Sequence, residues 1–195
     1  METTLDIAAL EKVRAEGAPL DFDLVVREHQ RRIYRVLLGM VRDPELADSL
    51  TQDCFVRAYE KRASFRGESS VGTWLISIAL NLARDHARNR RAGFWRRLFS
   101  TPAPEAEVAL QTAADLGASP ERSLIARQEL DQVWEIVEQL PQRQREVFVL
   151  RFAEEMPLEE IGVVLGMQSG TVKAHLFRAV GTVRKRMRSR VTSKG

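Results

Sequence analysis

The segment TVKAHLFRAVGTVRKRMR places Thr171, Lys173, Ala174 and His175 ahead of Arg178, Arg184, Lys185, Arg186 and Arg188. Small and polar side chains followed by repeated cations suit one chemistry. The first group can bond or touch base edges, and the second can hold phosphates. The charge bias is regional. Residues 131–160 hold eight acids against three arginines, whereas residues 161–195 hold eight Lys and Arg and no acid. A second cationic block, NLARDHARNRRAGFWRR, carries six arginines and one aspartate between Asn81 and Arg97. Two separated positive surfaces point to a polyanion met at two places. For either block alone, a solvated helix face is the plain alternative.

Catalysis has little to work with. Asp85-His86 could suggest an oriented imidazole, but adjacent helical residues point about 100° apart and do not face each other. There is no Gly-rich phosphate loop, serine-nucleophile motif or His-x-x-x-His spacing. Cys54, the single cysteine, sits in an apolar-flanked stretch and reads as buried. It can form no internal disulfide and has no second cysteine to share a metal with. A lone thiol fits a reducing compartment. No run of about 18 apolar residues offers a membrane span, and METTLDIAALEKVRAEG lacks the basic start and apolar block of a signal peptide. The expectation is a cytoplasmic protein without catalytic residue, metal, cofactor, small-molecule substrate or membrane insertion.

Positioning these residues falls to helices. Phe22, Val25, Val26, Ile33, Leu37, Met40 and Val41 recur at three-to-four spacing over 22–41. Asp43-Pro44-Glu45 is a start signal for a helix reaching about Tyr59, with Leu46, Leu50 and Phe55 inward. KRASFRGESSVG reads as a polar loop. A helix from about Thr73 to Arg90 follows, with Trp74, Ile78 and Leu82 in register. Periodicity then fails through STPAPEAEVALQTAADLGASP, which has the composition of a linker. Ser119-Pro120-Glu121 restarts helix as far as Leu140, and Pro141 opens another to about Ala153. Pro157 begins a short helix that Gly166 stops, and the last helix spans Ser169 to Arg188. No segment alternates like a strand. The fold class is all-α: an N-terminal extension (1–20), a helical domain (21–92), a flexible linker (93–118) and a second helical domain (119–190).

Leu158 to Met187 has the proportions of a helix-turn-helix. Leu158, Ile161 and Leu165 face inward, Gly166 supplies a residue able to take positive φ, and Val172, Leu176, Val180 and Val183 are inward on the second helix. Lys173, His175 and Arg178 are then outward near its start, where a recognition helix meets the major groove. An ordinary helical hairpin with a basic tail has the same spacing. Glu154, Glu155, Glu159 and Glu160 sit where a protein, not DNA, would be met.

The stretch DPELADSLTQDCFVRAYEKRASFRGESSVGTWLISIALNLARDHARNRRA resembles region 2 of the bacterial extracytoplasmic-function (ECF) sigma factors of the sigma-70 family. LPQRQREVFVLRFAEEMPLEEIGVVLGMQSGTVKAHLFRA is similar to their region 4. The two occur in the family's order, over about three-quarters of the chain. The resemblance implies a transcription initiation factor that directs core RNA polymerase to specific promoters and promotes −10 melting. It assigns Asp48, Gln52, Asp53 and Arg57 to the clamp coiled coil of the largest polymerase subunit, and implies the polymerase flap region as a further contact. Phe65, Arg66, Trp74 and Asn81 would lie near the melted −10 strand, with Arg84, Arg88, Arg90 and Arg91 on its phosphates. Trp74 also heads an apolar stripe and reads mainly as core. Thr171, Lys173, Ala174, His175, Arg178, Arg184 and Lys185 would meet the −35 duplex. Gln168-Ser169 and His175 depart from the residues common in the family, which bears on base preference there. The resemblance also implies an anti-sigma partner. The rival reading is a stand-alone helix-turn-helix regulator, which would need a dimer surface and palindromic half-sites and leaves the first domain unused.

Overall fold

The computed structural model describes residues 21–98 and 120–192, with side chains over 21–89 and 129–190. The N-terminal extension, the expected linker from residue 99 on, and Ser119 lie outside the described residues. Seven α-helices are described: α1 (Phe22–Val41), α2 (Pro44–Lys61), α3 (Val71–Leu98), α4 (Pro120–Glu138), α5 (Gln142–Phe152), α6 (Leu158–Leu165) and α7 (Ser169–Thr192). No strand occurs among the described residues, so the expected all-helical fold is the observed one.

Local chemistry sets most helix ends. The Asp21 carboxylate accepts the Leu24 N–H at 3.2 Å and opens α1. The Asp43 carboxylate accepts the Leu46 N–H at 3.0 Å and opens α2, with Pro44 in the first turn; such a cap is worth about 1 kcal/mol. A short 3-10 turn, Arg62–Ser64, follows α2, and the Ser70 hydroxyl accepts the Thr73 N–H at 3.1 Å to open α3. This helix, expected to stop near Arg90, runs to Leu98, so the backbone of 93–98 is helical where linker was expected. Gly93 weakens a helix by about 1 kcal/mol but does not break it.

The α1–α2–α3 unit closes over Ile33, Leu37, Ala58, Leu75, Ile76 and Leu80, all at most 1% exposed. Each buried Leu or Ile contributes about 1.5–3 kcal/mol. In the second unit, Ile136, Val147, Leu150, Met156, Ile161 and Val172 are buried against one another.

The two units are docked. α1 packs on α5 and α4, and α3 packs on α6. Gly39 permits the close approach: a Cβ there would lie 3.0 Å from Val149 Cγ1 and 3.7 Å from the Trp134 ring. Arg42, left-handed at φ 58°, caps α1 and holds its guanidinium carbon 5.6 Å from the centre of the Trp134 ring.

His29, on α1, lies by Gly72 at the start of α3, beside Arg32. Burial, and secondarily the Arg32 charge, hold its pKa below the ordinary 6.5. The unfolded chain therefore takes up this proton more readily than the folded one. The contribution of His29 is intact above pH 6.5 and is lost as pH falls through 6.5 toward its lowered value. Urea denaturation at pH 7.5 and pH 5.5 is expected to show a smaller acid-induced loss of stability in His29→Gln than in the wild type; equal losses would remove His29 as the cause.

Candidate nucleic-acid and polymerase surfaces

On α2, Asp48, Gln52, Asp53 and Arg57 are all exposed, as the helical spacing requires. Gln52 Nε2 donates to Asp48 Oδ2 at 3.0 Å, joining the two side chains one turn apart. Val56 and Tyr59 stand exposed on the same helix. They add apolar area to the polar ridge, and sequence reading missed them because attention went to the charged residues. Cys54, on the opposite side, is buried with Sγ 3.5 Å from the Leu75 carbonyl oxygen. Burial pushes its thiol up to about 12, which suits packing and not nucleophilic attack.

The loop between α2 and α3 folds back so that the Phe65 ring lies 4.7 Å from that of Trp74, tilted by 31°. Both are half-buried, while Arg66 is exposed and Gly67 takes a positive φ of 78°. Trp74 is thus both core and loop platform. Asn81, Arg84 and Arg88 follow at helical spacing along α3. Asn81 is exposed, and its Oδ1 accepts from Arg84 Nη1 at 2.9 Å. Arg88 is largely exposed and pairs with Asp85 at 3.0 Å. Arg90 and Arg91 lie on the α3 backbone, but their side chains fall outside the described residues.

Arg84 behaves differently. Its Nε and Nη2 reach Glu146 Oε1 and Oε2 at 2.7 and 2.9 Å, a bidentate pair across the two units. The Glu146 side chain is 0% exposed and also accepts from Gln142 and Arg143, both at 3.1 Å. Two other carboxylates of the second unit cross the same seam. Glu154 accepts from Arg32 Nε at 3.2 Å and from Arg35 Nε and Nη2 at 3.1 and 3.2 Å. Glu160 Oε1 accepts the Thr73 hydroxyl at 2.5 Å. Glu154 and Glu160, expected to meet a protein partner, meet the first unit of their own chain; Glu155 and Glu159 are exposed.

The helix-turn-helix is α6, the Gly166–Gln168 turn and α7. Gly166 ends α6 in the left-handed region (φ 63°), where only glycine is unstrained. Thr171, Lys173, Ala174, Arg178, Arg184 and Lys185 are exposed, as expected. His175 is half-buried, with Nδ1 buried and unbonded, so its imidazole does not project freely from the helix. The signal was available: Val172 and Ala179, three before and four after it, are core positions. Phe177 instead projects, 82% exposed, one turn beyond Lys173. Gly170 and Gly181 leave open space on either side along the helix. Sequence reading gave it no role, yet it is the most exposed large apolar side chain described. Arg186 and Arg190 turn back to Gln139, just past the end of α4, and to Glu135 of α4 at 2.6 and 2.8 Å, whereas Gly181, Arg184, Lys185, Arg188 and Ser189 line a shallow cationic depression.

Among the described residues, no group of three or more His, Cys, Asp or Glu could hold a metal, and no helix is long and apolar enough to cross a membrane. The described residues form two helical units, the second a helix-turn-helix with a cationic outer face. Comparison with known proteins supplies the class. Residues 25–93 match Sigma-70 region 2, and residues 130–183 match Sigma-70, region 4. The RNA polymerase sigma-H factor of Pseudomonas aeruginosa is 31% identical over 184 residues, covering 89% of each chain. The ECF RNA polymerase sigma-E factor of Escherichia coli K12 is 31% identical over 91% of this chain and 92% of the relative. A solved structure of the sigma factor RpoE with the anti-sigma factor NepR from Bartonella quintana shares the fold at a TM-score of 0.69. It is 20% identical, over 86% of this chain and 97% of that one. The chain belongs to the sigma-70 family of RNA polymerase sigma factors, in its extracytoplasmic-function branch.

Proposed function

We propose that this chain starts transcription by dividing recognition between its two units. The exposed face of α7 reads the −35 duplex through the major groove, with Lys173, Ala174 and Phe177 toward base edges and Arg178, Arg184 and Lys185 toward phosphates. The α2 ridge of Asp48, Gln52, Asp53 and Arg57 docks on the clamp coiled coil of the largest polymerase subunit, and the second unit meets the flap region. Phe65, Arg66, Trp74 and Asn81 receive unpaired −10 bases, and the arginines of α3 hold the strand's phosphates. Melting is driven by capture of extruded bases and needs no hydrolysis by this chain. A sigma factor of the same fold is held by an anti-sigma partner in its solved complex, and we extend that mode of control to this chain.

The observation that carries this reading is the simultaneous exposure of the α2 ridge and the α7 outer face on one chain of this family. Run-off transcription with core polymerase and a promoter pool tests it. Specific transcripts are expected only when the chain is added, and are lost when Asp48, Gln52 and Asp53 are replaced together by alanine. No transcript, with tight binding of the free protein to a palindromic duplex, would establish a dimeric regulator instead.

A further inference from the structure

An exposed serine stands at the entrance to the aromatic platform of the first unit. Ser64 ends the short turn Arg62–Ser64 and directly precedes Phe65, whose ring lies on Trp74. Its hydroxyl donates to the Lys61 carbonyl at 2.7 Å, and Lys61, Arg62 and Ala63 are exposed with it. The order Lys61-Arg62-Ala63-Ser64-Phe65 sets two cations ahead of the serine and an aromatic after it. Serine kinases discriminate substrates by such charge patterns, and an acidic substrate groove accepts this one. Other serines are less suited. Ser49 follows Asp48, and Ser69 follows Glu68. Ser189 has an arginine on each side, but it lies within α7 and its hydroxyl donates to the Lys185 carbonyl at 3.1 Å, so extending it for a kinase unwinds the helix. Extending the Ser64 turn releases the Phe65 N–H from the Arg62 carbonyl, 3.3 Å away, and lifts the Phe65 ring from Trp74. None of residues 61–64 belongs to the core.

We infer that Ser64 is a phosphorylation site for an arginine-directed serine kinase, and that the phosphoserine closes this loop to single-stranded DNA. The inference rests on reading the loop as part of the −10 surface. In the transfer, the Ser64 oxygen bonds to the γ-phosphorus of ATP as the bond from that phosphorus to the ADP oxygen breaks, and the hydroxyl proton passes to a base of the kinase. The product carries about −1.5 to −2 charge and three acceptor oxygens. It stands one residue from Phe65 and two from Arg66, both assigned to the unpaired strand, so it acts in two ways. Its charge repels the strand's phosphates, and its oxygens accept from Arg66 and Lys61 in the place of a DNA phosphate. The outer face of α7 belongs to the second unit, so −35 reading is left intact.

The test treats the full chain with magnesium ATP and an arginine-directed serine kinase and maps the phosphate by mass spectrometry. Binding of a random single strand of DNA is then read by anisotropy. Phosphate is expected on Ser64, and none at that position in Ser64→Ala treated in parallel. The phosphorylated chain is expected to bind the strand about tenfold more weakly at low salt, with the gap closing as salt rises and the thermal melt unchanged. Treated Ser64→Ala is expected to bind like the untreated wild type. No phosphate on Ser64, or phosphate on Ser189 in its place, overturns the site. A chain phosphorylated on Ser64 that binds the strand as tightly as the untreated one overturns the effect on DNA and leaves the −10 assignment standing. Strand binding by the untreated chain that Phe65→Ala and Arg66→Ala together do not weaken brings down the inference along with the −10 assignment; run-off transcription then shows separately whether the sigma-factor reading survives.

Discussion

Alanine at Gly162 is expected to destabilise the second unit by about 1–3 kcal/mol and to remove −35 binding, leaving the first unit folded. A Cβ on Gly162 would lie 2.7 Å from the Met167 carbonyl oxygen. That oxygen is backbone, so no rotamer change relieves the clash. The same turn is tied by Met167 N–H donating to the Gly162 carbonyl at 2.8 Å, so α6 and the turn must part for the methyl to fit. Because α7 starts two residues after Met167, its aim shifts with the turn. Gly170 and Gly181 are the controls. A Cβ at either meets nothing within 4 Å, and alanine there should gain about 0.5–1 kcal/mol of helix stability. Thermal melts of the three variants, with duplex binding measured alongside, check this. A Gly162→Ala chain as stable as the wild type would show that the turn relaxes freely.

The second large effect concerns what α7 reads. Replacing Lys173 with alanine is expected to cost about 1–3 kcal/mol at the preferred −35 sequence and to relax discrimination there. Phe177→Ala should act in the same direction by removing an apolar surface of the kind that packs on a thymine methyl. Arg184→Ala and Lys185→Ala, about two helical turns beyond Phe177, should weaken all sequences about equally and lower the salt slope by about one charge each. Binding of matched and mismatched duplexes at several salt concentrations separates the two patterns. Uniform loss for Lys173→Ala and Phe177→Ala would place base reading elsewhere on the chain.

Much of the fold was legible because its determinants are short-range. Asp21 and Asp43 each cap the N–H three residues on, Pro44 sits in the first turn it favours, and Gly166 takes the positive φ that ends α6. The apolar stripe of α1 repeats at helical spacing, so its limits, Phe22 and Val41, could be read directly. The exposed ridge at Asp48, Gln52, Asp53 and Arg57 followed from the same spacing. The α3 terminus was less legible. Arginines and one glycine neither continue an apolar stripe nor break a helix, and the chain runs helical to Leu98.

Side-chain roles that depend on how a helix is rotated were harder. The apolar pattern placed the inward face of α7 correctly, but it did not show that His175, at the edge of that face, would be half-buried or that Phe177 would project. What only the tertiary structure decided lies further apart still. The sequence determined two helical units, the residues of the α2 ridge and a cationic last helix, because caps, turns and periodicity act within one or two helical turns. It could not say that Glu146 would close on Arg84, 62 residues away, or that Glu154 would gather Arg32 and Arg35. Every surface acid is a potential partner for every arginine, and only the approach of α5 and α6 to α1 and α3 selects those pairs and shuts the two carboxylates away from water.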